Sequence, residues 1–180
     1  DPHDKASATP GLRAMRAADP DFDVLQLEDR VSVVFYRLAT AWRLAALAPI
    51  RKMATERFCE SLAQTYAEAP NRRSFPGDCS IGAVDVVAVV PTPTESDFAQ
   101  VAVNVEWASR TFEADQNGVR PNGAPFRRAT SLLVLVRRGG VQSSVARGVS
   151  SAHCPTCGAP ETASEDHACD YCGAVLNDGS

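Results

Sequence analysis

Four cysteines near the end of the 180-residue chain carry the clearest chemistry in the sequence. Cys154-x-x-Cys157 and Cys169-x-x-Cys172 each lie in a short turn of their own, Cys-Pro-Thr-Cys-Gly and Cys-Asp-Tyr-Cys-Gly. Two residues between cysteines is the separation at which a tight turn aims both sulfurs at one point, and tetrahedral zinc takes four thiolates. Gly158 and Gly173 follow the second cysteine of each pair, where a positive φ lets the backbone curl so that amides point back at sulfur. Around them the segment has few apolar residues besides Tyr171, Val175 and Leu176, so burial cannot hold its shape. Metal can: a structural zinc contributes about 10–16 kcal/mol in modules of this kind. The spacing favours one structural zinc over two redox-active pairs or two disulfides. His153 and His167 flank the clip and read as exposed loop histidines, since four cysteines already complete a ligand set.

Zinc ribbons often meet nucleic acid, but charge argues against that here. From Gly148 to Ser180 there is no Lys or Arg, while Glu161, Glu165, Asp166, Asp170 and Asp178 add to the thiolates. A phosphate backbone needs cations to displace its counterions. The whole chain, with 18 Lys and Arg against 22 Asp and Glu, gives no global signal for nucleic acid or membrane. No apolar run reaches the roughly 18 residues of a transmembrane helix. No signal-peptide pattern opens the sequence, and the reading leaves any targeting or membrane segment to lie outside it. Cys59 and Cys79 read as free thiols, which with a metal clip points to a reducing compartment.

Catalytic groups are sparse. All three histidines lie outside the expected helices and strands, which removes the commonest general base. Asp85 interrupts an apolar strand and Tyr66 lies on an apolar helix face, so a small enzyme using an Asp85/Tyr66 proton-transfer pair is the weakest of the readings. Against it, Asp85 at a solvent edge and Tyr66 with a wet hydroxyl need no function at all. The sequence has no glycine-rich phosphate loop, HExxH or nucleophile elbow.

The elements that must position these residues are set by periodicity. Residues 1–18 lack it and read as a linker or flexible arm. From Asp21, Val24, Leu27, Val31, Val34, Phe35, Leu38 and Trp42 recur at helical spacing, with Asp21 or Asp23 as cap and the helix ending near Ala46. Pro49 opens a second helix through about Ala67, with Ile50, Met53, Ala54, Phe58, Leu62 and Tyr66 on its apolar face. After NRRSFPGDCS the period changes: residues 81–90 form a β-branched strand. In 98–112, Ala99, Val101, Val103, Val105 and Trp107 alternate with polar residues. ADQNGVRPNGAP reads as an exposed loop. FRRATSLLVLVRR and VQSSVARGVSSA then flank Gly139-Gly140 as a two-residue hairpin turn. That turn would place Arg138 opposite Val141, Val136 opposite Ser143, Val134 opposite Val145 and Leu132 opposite Arg147. The sum is an α+β domain, two helices packed on a curved four-stranded antiparallel sheet, with the ribbon appended.

The stretches ADPDFDVLQLEDRVSVVFYRLATAW and LAPIRKMATERFCESL, then strands leading into CPTCGAP and CDYCGAVL, resemble the bacterial branch of the Tim-forty-four-like domain family. That family is typified by the C-terminal domain of the peripheral subunit of the mitochondrial inner-membrane translocase. The likeness runs from Asp19 to about Leu176 and rests on Asp19-Pro20-x-Phe22, the spacing to Phe35, Ala41 and Trp42, and the cysteine ribbon. It implies a nuclear-transport-factor-two-like cone enclosing an apolar pocket, and a role in binding lipid or membrane surfaces. The expected organisation is an arm over 1–18, the Tim-forty-four-like domain over 19–152 and the ribbon over 153–180. A pocket lined by Phe35, Leu38, Trp42, Val103, Val105 and Trp107 is expected between the first helix and the sheet. Arg127, Arg128, Arg137 and Arg138, with no acid among them, could meet anionic headgroups. The resulting expectation is a non-enzymatic module on the cytoplasmic side of a membrane, peripheral or tethered, holding lipid or an apolar segment of a membrane-protein partner. A protein-interaction scaffold with a filled core is the alternative.

Overall fold

The computed structural model describes residues 10–68, 73–91, 98–143, 153–154 and 156–177. Among these, three helices, α1 (Pro10–Ala18), α2 (Val24–Leu44) and α3 (Glu56–Glu68), precede four strands, β1 (Arg73–Val90), β2 (Phe98–Asp115), β3 (Gly118–Pro121) and β4 (Arg127–Arg138). The α+β class is as expected; the helix count is one higher.

The extra helix is α1, inside the stretch read as an arm. Its nine residues are too few to show a period, but Leu12 and Met15, three apart, are both buried in the main core. Pro10 suits a first helical position because its missing N–H has no partner there anyway. Gly11 sets the approach: a Cβ at this position would overlap the Val89 carbonyl oxygen, so only glycine lets α1 press on β1.

Asp23 caps α2, its carboxylate accepting from the Leu25 amide at 2.8 Å. Val24, Val31, Phe35, Leu38 and Ala41 form its buried stripe. At the other end Ala45 takes a left-handed conformation (φ 50), and the Arg73 guanidinium donates to the carbonyls of Trp42 and Arg43. A cation on the free carbonyls of a helix C-terminus is favourable in both charge and hydrogen bonding.

The second expected helix starts late. Residues 47–53 make turns instead, with the Ile50 and Arg51 amides both donating to Leu47 O at 2.9 Å. α3 begins only after Thr55, whose hydroxyl accepts from the Phe58 amide at 3.4 Å. Packing decides between the two starts: the turn drops Ile50 against Leu38 and Ala41, where it is 1 % exposed. A helix from Pro49 would commit that residue to a periodic face.

β2 is the central strand. It pairs antiparallel with β1 on one side and with β4 and β3 on the other. Its alternation is as expected, with Ala99, Val101, Val103 and Val105 all buried. β1 begins at Arg73, earlier than expected, and carries Pro76 within a pairing interrupted between Gly77 and Ser80, Ile81 and Ala83, and Val86 and Ala88. A strand at a sheet edge tolerates proline and bulges, which hides it from a search for regular alternation. Within the expected loop 114–125, Asp115 and Gly118 close a turn that returns as β3.

Among the described residues the fourth strand is β3; of the segment expected after Gly139-Gly140 only residues 141–143 are described. The chain does turn there: Gly140 has φ 77 and the Val141 amide donates to Arg138 O at 3.4 Å. No strand forms over 141–143. Ser143 does not face Val136, because its amide and hydroxyl donate to Asp19 Oδ2 at 3.0 and 2.7 Å. Through its other edge β4 pairs with β2, with Arg138 beside Phe98 and Val136 beside Gln100. The expected partners Val145 and Arg147 lie outside the described residues.

Candidate functional site

Two knuckles repeat the same local bonds. The Cys154 amide donates to Ala159 O and the Gly158 amide to Cys154 O; the Cys169 amide donates to Ala174 O and the Gly173 amide to Cys169 O, all at 2.8–2.9 Å. Gly158 and Gly173 take φ values of 73 and 72, where an L side chain would be strained. The isolated bridges His153 to Pro160 and Ala168 to Val175 repeat the symmetry. The four sulfurs lie within 4.8 Å of one another. The closest pairs run across the knuckles, Cys154 to Cys172 at 3.8 Å and Cys157 to Cys169 at 3.7 Å. Four ligands at a Zn–S length of about 2.3 Å leave edges of about 3.8 Å between sulfurs, so the donor set fits a tetrahedral metal. All four thiols are free, and these separations are too long for a disulfide.

Amides supply the surroundings such sulfurs need. N–H groups of Cys172 and Tyr171 pull the Cys169 thiol down to about 7. An Ala159 amide pulls on Cys157 likewise, but desolvation and the three neighbouring sulfurs push that thiol up to about 12. His167 is no fifth donor: it is half-buried, with Nε2 3.5 Å from the Glu56 carboxylate and Nδ1 3.3 Å from Asn177. His153 is half-buried too, so neither histidine is the exposed loop residue expected.

The acidity of the ribbon turns inward. Glu161, its side chain fully buried, accepts from Arg30 at 3.2 Å, and its carbonyl accepts from Arg37 at 2.9 Å. Lys52, 2 % exposed, donates to Asp170 at 2.7 Å, and Thr162 bonds the same carboxylate. Lys52 first and Thr162 second hold the Asp170 carboxyl below its ordinary range. Arg51 lies 3.6 Å from Glu165. The Ser164 amide donates to Ala48 O and the Asn177 side chain to Ala54 O. α2 and the turn before α3 thus form a basic platform for the ribbon. The sequence held the signal, a cation-free acidic ribbon and an Arg51-Lys52 pair, but separation along the chain concealed the match.

The six expected pocket residues do not share one opening. Phe35, Val103 and Val105 are completely buried. The Phe35, Trp42 and Trp107 rings pack on one another with centroids 5.3–6.2 Å apart and fill the space between α2 and β2. Trp107 also reaches a more polar opening beside Glu106 and Arg128. Leu38 alone of the six lines a separate apolar groove of about 560 Å³ between α2, residues 50–58 and β4. Met53 and Phe58 form one wall, Leu132–Arg137 the other, and Leu176 and Asn177 of the ribbon sit at its rim. Sequence periodicity missed it because the groove runs along a strand edge and a turn, neither of which has a periodic face.

Arg137 is engaged within the fold: its guanidinium donates to Asp19 at 2.6 Å and stacks 5.7 Å over the Phe22 ring. Arg127, Arg128 and Arg138 are exposed. Asp85 and Tyr66 sit in different surroundings. Asp85 pairs with Asn104 in mid-sheet, whereas Tyr66 feels the charge of Arg73 at the start of β1, twelve positions earlier. Burial pushes the Tyr66 hydroxyl up to about 12, which leaves it protonated, not poised as a base.

The Tim44-like domain family matches residues 8–125, and the chain belongs to that family. The match takes in α1 and stops before β4 and the ribbon. Among solved structures, the intermembrane space region of the chloroplast protein ARC6 is similar at 14 % identity and a TM-score of 0.45, over 65 % of this chain and 86 % of that one. No curated protein sequence matches.

Proposed function

We propose that this Tim44-like domain is a non-enzymatic, membrane-associated binding module whose groove between α2 and β4 takes a lipid acyl chain or an apolar segment of a membrane-protein partner. The observation that carries it is the groove itself, about 560 Å³ and lined mainly by apolar side chains. Such a concavity suits an apolar ligand and offers no convergent polar set for chemistry. One structural zinc held by Cys154, Cys157, Cys169 and Cys172 fastens the ribbon at its rim. Arg127, Arg128 and Arg138 supply headgroup contacts; Arg137, held by Asp19, does not. No described helix is long and apolar enough to cross a membrane, and the reading is of peripheral or tethered association on the cytoplasmic side. Nucleic acid is not read as a partner, because the ribbon sequence offers no cation and its Glu161 and Asp170 are engaged by the platform.

Native mass spectrometry of the purified chain tests this directly, with one zinc and a retained lipid as the expected masses. Vesicle flotation adds the site: Leu132→Ser should reduce binding to anionic vesicles severalfold. If wild-type protein ignores both neutral and anionic vesicles and retains no lipid, the second reading replaces this one. That reading, a protein-interaction scaffold, is favoured by the packed Phe35, Trp42 and Trp107 cluster, which fills the space where the pocket was expected.

A further inference from the structure

The two edges of the sheet are built differently. β1 is blunted along its length by Pro76, by Asp78 at φ 50 and by three interruptions of register. Devices of this kind keep an edge from pairing with foreign strands. β4 has none of them. Its pairing with β2 runs unbroken from Arg127 to Arg138, and Ser131 to Val136 contains neither proline nor charge. Among the described residues no strand pairs with its other edge.

The residues of β4 also read as those of an interior strand. Leu133 and Leu135 pack on the core, while Leu132 and Val134 on the opposite face are 59 % and 55 % exposed. Apolar residues on both faces belong to strands covered on both sides. The edge that no described strand pairs borders the groove, whose lining takes in all of Leu132–Arg137 together with Met53 and Phe58. The ionic groups in that lining, Arg30 and Arg137, are already matched by Glu161 and Asp19. An occupant must therefore satisfy backbone N–H and C=O groups along one wall, present apolar side chains to the other, and carry no charge between its ends.

We propose that β4 is a strand-addition site, taking an extended, uncharged apolar segment of about six residues from a partner protein as a fifth strand of the sheet. Main-chain bonds to the β4 edge supply affinity, and alternate side chains entering the groove supply selectivity. The length comes from Leu132–Arg137, about 20 Å of strand. The proposal rests on the groove being the binding site, and narrows its occupant from any apolar chain to a peptide in β conformation.

The test uses the full chain loaded with zinc and a capped hexapeptide of alternating valine and threonine, with hydrogen exchange as the readout. Binding should slow exchange of amides within Leu132–Arg137. The same peptide N-methylated at every internal residue, which keeps its side chains but loses its donors, should bind at least about tenfold more weakly. Equal binding of the two peptides overturns the proposal, because side chains alone would then account for it. Absence of binding also overturns it. Protection of the β4 edge already present in the free chain assigns the edge to the chain's own residues, and protection that grows with protein concentration assigns it to a second copy; either outcome rejects a partner peptide. Lipid retention measured in parallel separates the two levels: peptide failure with lipid retained removes strand addition alone, whereas failure of both removes the groove as a site.

Discussion

Asp19 sits where three segments meet, and its one engaged oxygen holds them together. Oδ2 accepts from Arg137 at the end of β4 and from the amide and hydroxyl of Ser143, while the Asp19 amide donates to Met15 O at the end of α1. Burial alone would push this carboxyl up, but the Ser143 bonds and then Arg137 outweigh it and hold the group below its ordinary value. A depressed folded-state pKa adds stability above the unfolded value of about 3.9, and that stability disappears as pH falls through the lower folded value. Asp19→Ala should cost about 2–3 kcal/mol in urea unfolding at pH 7, from loss of charge-assisted bonds and a stranded Arg137. At pH 3 the difference between mutant and wild type should shrink. A constant difference at both pH values would mean that packing, not charge, is what the carboxylate provides. Trp107→Ala makes a contrasting case. Because its ring packs on Phe35 and Trp42 and its Nε1 donates to Ser131 at 3.0 Å, the expected effect is a loss of about 3–5 kcal/mol with no pH dependence. A measured loss under about 1 kcal/mol, too small for a filled core site, would show that these rings border an open pocket after all.

At the scale of elements, α1 offers a case in which propensity and packing oppose each other. Gly11→Ala should favour the helix by up to about 1 kcal/mol, yet its methyl would collide with the Val89 carbonyl. Backbone cannot swing aside as a side-chain tip does, so overpacking of about 1–3 kcal/mol should win and lower the melting temperature. An unchanged or raised temperature would place α1 off the sheet. The same helix shows why the sequence was readable in some places and opaque in others. α2 and β2 were legible because each repeats one period over many residues against the core, Val24 to Ala41 in the first and Ala99 to Val105 in the second. α1 has two anchors and no period. β1 has a period broken three times by the bulges that protect it as an edge. Gly139-Gly140 did mark a turn, but the path of the chain beyond it is set at Ser143 by Asp19, 124 residues away in sequence. The cysteine cluster was the most legible site, since two knuckles contain their own geometry within a few residues. The groove was the least legible, because its walls come from a turn, a strand edge and the end of the ribbon.

The whole molecule separates its charge so that one part neutralises another. Neither core cluster contains a ribbon residue, and the ribbon meets the rest through polar bonds, while its four cysteines lie within the ribbon itself. Glu161 and Lys52 are the groups on which that joint depends: both are nearly inaccessible, and each faces an opposite charge from the other part. Burying a charge is costly unless its partner stays in place. The knuckle turns keep the partners in place, and a zinc ion would keep the turns. Chelation should therefore release the ribbon as a unit, exposing Arg30, Arg37 and Lys52 and uncovering the end of the groove at Leu176. Hydrogen exchange should then rise throughout 156–177 while the amides of β2 stay protected, and the melting temperature should fall by a few degrees without loss of cooperativity. Salt provides the control. At about 0.5 M, screening should weaken exposed pairs such as Arg51 with Glu165, but not the buried contacts at Glu161 and Lys52, so salt alone should leave the ribbon docked. If chelation leaves the ribbon amides protected, the hydrogen bonds of the knuckles suffice without metal. If moderate salt releases the ribbon as fully as chelation does, screened surface attraction and not the buried contacts at Glu161 and Lys52 is what holds it.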